Sequence, residues 1–78
     1  MEPMAKIVNR IRITRDCFNI LYMHLHLVDG KDEIIQIGFT PHSEFTENLY
    51  SRTRLIARRT ARFHGYTVPA HLPVEMEF

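Results

Sequence analysis

Residues 5–15, "AKIVNRIRITR", alternate: Ala5, Ile7, Asn9, Ile11 and Ile13 fall on one side, and Lys6, Val8, Arg10, Arg12 and Thr14 on the other. A period of two with β-branched residues on the apolar side predicts a half-buried strand. Arg15-Asp16 reads as a turn into a second strand, "CFNILYMHLHLV", the most apolar part of the chain. Its odd positions Leu21, Met23, Leu25 and Leu27 are aliphatic throughout. Its even positions Phe18, Ile20, Tyr22, His24, His26 and Val28 become more polar towards the end.

Asp29-Gly30 favours positive φ and signals an antiparallel hairpin. It leads into a third strand, "EIIQIGF", with Ile35, Ile37 and Phe39 on one face. A two-residue loop would set Leu25 opposite Ile34 and Leu21 opposite Gly38. A loop of Asp29 to Lys31 instead sets Leu25 by Ile35, Met23 by Ile37 and Leu21 by Phe39. A one-residue slip exchanges the faces of a strand, so the second arrangement, which joins the aliphatic sides, is favoured.

Thr40-Pro41 has the form of a hydroxyl N-cap followed by proline at the first helical position. Phe45, Leu49, Ile56 and Phe63, with Thr53 and Thr60, recur at helical spacing and predict the core-facing stripe. His64-Gly65 supplies the stop, with Gly65 as the left-handed residue after the helix. In the tail, Tyr66, Val68, Ala70, Leu72, Val74, Met76 and Phe78 alternate through two prolines, Pro69 and Pro73. Both prolines share one parity, so one edge of this segment stays free to pair. It reads as an edge strand or strap, with Leu72, Val74 and Met76 buried. The expected architecture is α+β in βββαβ order: a three-stranded antiparallel meander packed by one long helix, with an extended C-terminal edge strand.

Composition adds bounds to this picture. Seventy-eight residues form one small domain. An apolar fraction of 45% and a charged fraction of 24% belong to a folded domain and exclude a disordered tail. No apolar run nears the roughly 20 residues that cross a bilayer, and no signal-peptide pattern opens the sequence. The lone cysteine, Cys17, forms no internal disulfide and reads as a small buried thiol. Together these point to a cytoplasmic protein with no membrane partner.

Charge changes the picture more. The net charge is only +1, yet residues 48–74 hold no Asp or Glu, and Arg52, Arg54, Arg58, Arg59 and Arg62 all fall there. Arg54, Arg58 and Arg62 follow one another at i, i+4 and i+8, with no acid four residues before any of the five. A solvated outer face would account for such a row. Arginine in place of lysine argues for a recognition face, because its planar fork bonds phosphate or carboxylate bidentately. The expected function is a non-catalytic binding or regulatory module whose arginine-faced helix contacts a polyanion, nucleic acid or nucleoprotein. The competing reading is a protein-interaction module, such as a small phage-type inhibitor or adaptor on an acidic protein surface.

Other constellations are weaker. His24 and His26 share a strand face at i, i+2, a spacing some metal sites use, but no second ligand motif joins them, so neither a metal nor a cofactor is expected. Nothing local activates Cys17, and no phosphate-binding glycine loop occurs, so the chain is not expected to be an enzyme. Phe18, Ile20 and Tyr22, with Val8 and Ile34, would form a second apolar sheet face. That face requires either the tail or a second copy as cover, making a homodimer the alternative to a monomer closed by its own C-terminus.

Overall fold

The computed structural model describes residues 6–39 and 47–78. Three antiparallel strands, β1 (Val8–Arg15), β2 (Ile20–Leu27) and β3 (Asp32–Phe39), precede the helix α1 (Glu47–Phe63) and a short β4 (Val74–Met76). The sheet order is β3-β2-β1-β4, with β4 parallel to β1. The βββαβ expectation therefore holds, and the final strand does lie at an edge. The Thr40-Pro41 cap and Phe45 lie outside the described residues.

Both hairpins are built alike. Asn19 N–H bonds to the Asp16 carbonyl and Asp16 N–H to the Ile20 carbonyl. In the same way Gly30 N–H bonds to the Leu27 carbonyl and Leu27 N–H to the Lys31 carbonyl. Each three-residue loop ends on a residue with positive φ, Asn19 at 64° and Gly30 at 91°, the expected form for this loop length. Asp16 Oδ1 accepts from the N–H groups of Phe18 and Ile20, and Oδ2 accepts from the Tyr22 hydroxyl. This turn projects Cys17 and Phe18 into solvent, which corrects the expectation of a buried thiol.

The second loop, Val28 to Gly30, has the odd length that joins the aliphatic faces but begins one residue earlier than expected. Met23 therefore pairs with Ile35 and Leu25 with Glu33, replacing Leu25–Ile35 and Met23–Ile37. A bulge beside Leu21 and Tyr22 then sets Leu21 against Gly38, where Phe39 was expected. A second bulge, between Val8 and Arg10, inserts Asn9 into β1. It reverses the alternation, so Val8 joins Ile11 and Ile13 in the core and leaves the outer face.

The core combines Val8, Ile11, Ile13, Leu21, Met23, Leu25 and Leu27 from the sheet with Ala57, Ala61, Val68 and Val74. Ile11, Ile13, Met23 and Leu25 are fully buried, each contributing about 1.5–3 kcal/mol of transfer free energy. The helix lies on this layer through Thr53, Ala57 and Ala61. This differs from the expected stripe: Ile56 is 46% exposed, Phe63 is 88% exposed and Thr60 is half-buried. Small side chains let the helix backbone sit close to the sheet, and close packing places the bulky positions on its flanks. The helix ends as expected, with Gly65 at φ 90°. Gly65 N–H bonds to the Arg62 carbonyl and Tyr66 N–H to the Ala61 carbonyl, a Schellman pair.

The tail meets β1 twice, first at Thr67 against Ile7 and then at β4. Val68 and Val74 are buried, while Leu72, Met76 and Phe78 are partly buried against the core. The tail therefore extends the sheet sideways, beside β1, instead of crossing its second face.

Candidate polyanion-binding face

Successive helix residues turn by about 100°, so the buried Thr53, Ala57 and Ala61 fix where every other side chain points. Leu55, Arg59 and Arg62 lie at the pole away from the sheet. Arg52 lies as near that pole on its other side, Arg54 and Arg58 lie on one flank, and Ile56 and Phe63 lie on the other.

Arg58 leaves the expected row. It is half-buried, and its guanidinium donates to the carbonyl oxygens of Ala70 and Leu72. These carbonyls belong to the segment between the two points where the tail pairs with β1, so Arg58 supports the fold. Arg52, Arg54, Arg59 and Arg62 are exposed and have no acidic partner among the described residues. Along the helix they span about 15 Å.

The second sheet face differs sharply. Arg10 donates from Nε and a terminal nitrogen to both Glu75 carboxylate oxygens, at 2.9 and 2.8 Å. Arg12 donates to Glu77 at 2.8 Å, and its Nε–H donates to His26 Nε2 at 3.0 Å. Since that nitrogen accepts, His26 Nδ1 carries the proton and donates to Asp32 at 2.8 Å. His24 Nε2 is hydrogen-bonded to the Thr14 hydroxyl at 2.8 Å. Burial, reinforced by Arg12, holds the His24 pKa below the ordinary histidine value. The Arg10 hydrogen bond holds the Glu75 carboxyl below its ordinary range.

Each charge on this face therefore meets a neighbour of opposite sign or a hydrogen-bonding ring. Sequence reasoning identified the shared face of His24 and His26 but missed their link to Arg12. The alternation of Arg10 and Arg12 with the acids Glu75 and Glu77 was the available signal. Among the described residues, no three His, Cys, Asp or Glu side chains converge on a metal position.

The proposed homodimer triad is not brought together as a strand face. Phe18 stands in the β1–β2 turn at 72% exposure, while Ile20 and Tyr22 are half-buried within β2. Ile34 is 63% exposed on β3. No described helix is long and apolar enough to cross a membrane. Comparison with protein-family models, curated proteins and solved structures finds no match to this chain.

Proposed function

We propose that the helix binds a polyanion, nucleic acid or a nucleoprotein, through Arg52, Arg54, Arg59 and Arg62. The supporting observation is the contrast between two faces of one molecule. Arg10 and Arg12 on the sheet have carboxylates within 3 Å, whereas the four helix arginines have no such partner among the described residues. Exposed guanidinium groups without local counter-charge gain most from phosphate, because each contact adds bidentate hydrogen bonds and releases condensed cations. Duplex DNA presents roughly nine charges along 15 Å, ample for four arginines. Arg58 is excluded from this set by its bonds to the tail.

A second reading is favoured by Leu55, 48% exposed at the outer pole between Arg59 and Arg62. An apolar residue among arginines also suits an acidic protein surface, since interfaces are enriched in arginine around apolar centres. Fluorescence anisotropy with generic DNA and RNA at two salt concentrations separates the two. Under the polyanion reading, Arg59→Gln and Arg62→Gln each weaken binding and reduce the salt slope by about one. Arg10→Gln leaves the slope unchanged. Equal slopes in wild type and the Arg59→Gln/Arg62→Gln protein would overturn the nucleic-acid reading.

A further inference from the structure

Phe63 is the most exposed large apolar side chain among the described residues. The core does not use it, since Thr53, Ala57 and Ala61 make the contact with the sheet. The helix stop does not use it either, because the Schellman pair joins Gly65 and Tyr66 to Arg62 and Ala61. Its ring meets that of the adjacent His64 edge to face, at 5.9 Å and 82°. The rest of the phenyl surface stays open to solvent.

This ring also has a defined place among the arginines. Arg52, Ile56, Arg59 and Phe63 follow one another at i, i+4, i+7 and i+11. At about 100° per residue they fall within roughly 60° of arc, so along about 16 Å one stripe alternates guanidinium, aliphatic chain, guanidinium and ring. Leu55 and Arg62 run beside it. All these side chains are exposed, and the arginines have no acidic partner among the described residues.

Phosphate alone makes no use of the apolar members of the stripe. In a duplex the bases are stacked on one another and offer their edges to a protein, so a phenyl face finds no flat surface to cover. An unpaired nucleotide offers both partners at once, a phosphate for a guanidinium and a base face for a ring. Helix polarity sets their order. The C-terminal end is the negative pole of the dipole and disfavours phosphate, and there the stripe ends in a ring. An acidic protein surface would answer the arginines too, but it covers apolar anchors best at the centre of an interface. Phe63 stands at the end of the row.

We infer that this face takes single-stranded nucleic acid, with phosphates on Arg52 and Arg59 and an unpaired base stacked on Phe63. The inference rests on the polyanion reading above and narrows it to unpaired strands. Ile56 lies between the two arginines and gives the sugar and base an apolar floor, while Arg62 sets a further cation beside the stacked base.

Fluorescence anisotropy of the full chain with a labelled single-stranded oligonucleotide, against a duplex of the same length and sequence, tests it. Wild type should bind the single strand at least about threefold more tightly, although the duplex has the higher charge density. Phe63→Ala should weaken single-strand binding by at least about fivefold. It should leave duplex binding and the salt slope unchanged, since no phosphate contact is lost. Phe63→Tyr should keep the single-strand affinity and Phe63→Leu should not, which separates stacking from apolar bulk. If Phe63→Ala fails to fold, this pair decides: equal affinities in the two overturn the inference. Suppose Arg59→Gln and Arg62→Gln lower the salt slope while Phe63→Ala binds the single strand as wild type does. The polyanion reading then stands and the single-strand inference falls. Equal or tighter binding to the duplex overturns it as well. Binding of polyglutamate but of neither oligonucleotide overturns both in favour of an acidic protein surface.

Discussion

Arg58 and Leu72 are tied together across fourteen positions, guanidinium to backbone carbonyl. The contact secures the tail where Pro69 and Pro73 interrupt its pairing with β1. Arg58→Ala is expected to destabilise the fold by about 1.5–3 kcal/mol, the range for hydrogen bonds to charged groups. Arg59→Ala should stay within about 0.5 kcal/mol, as surface substitutions do. Urea unfolding monitored by circular dichroism measures both. Equal losses at the two positions would show that Arg58 does not hold the tail.

Thr53, Ala57 and Ala61 form the contact of the helix with the sheet. Ala57→Leu should therefore cost about 1–3 kcal/mol by overpacking, although leucine suits a helix nearly as well as alanine. Leu55→Ala, at the outer pole, should change stability by less than about 0.5 kcal/mol. Thermal denaturation of the two variants checks which side of the helix is inside.

Acid should weaken the fold in two stages. The folded protein lowers the His24 pKa from the ordinary 6.5, so the unfolded chain takes the proton more readily. The stability due to neutral His24 is complete above about pH 6.5 and declines as pH falls through the folded value. Asp16 is lowered by the Ile20 and Phe18 backbone bonds, and Glu75 by Arg10. Their contributions persist below pH 6 and are lost further down, as the carboxylates take up protons. The melting temperature should be level above neutrality and fall in two steps. His24→Gln should remove the first step alone; an unaltered first step in that variant would assign it elsewhere.

Legibility in the sequence followed the range of the interaction. The alternation of Leu21 to Leu27, the parity of the tail and the stop at Gly65 are local signals, and each appears in the structure. The Asn9 bulge was hidden because "IVNRIRI" alternates well without it. Only pairing with β2 shows that Val8 belongs opposite Leu27. The helix face was misjudged because hydrophobic periodicity weights Ile56 and Phe63 above Ala57 and Ala61. A helix lying close to a sheet selects for size, and size carries little weight in a hydropathy pattern. Of the candidate site, the absence of acids around the arginines was legible from composition. That Arg58 is occupied was not, because its partners are backbone carbonyls that no sequence pattern encodes.

The parallel pairing of β1 with β4 also governs how the chain assembles. Arg10 and Glu75 are sixty-five positions apart, so the last sheet contact closes a loop containing both hairpins and the helix. The hairpins need only microseconds, whereas this closure pays its full entropy before any contact returns it. Until β4 arrives, β1 is the open edge of a three-stranded sheet, and Arg10 and Arg12 lack their carboxylates. Folding should thus pass its slowest point at the docking of a three-residue strand.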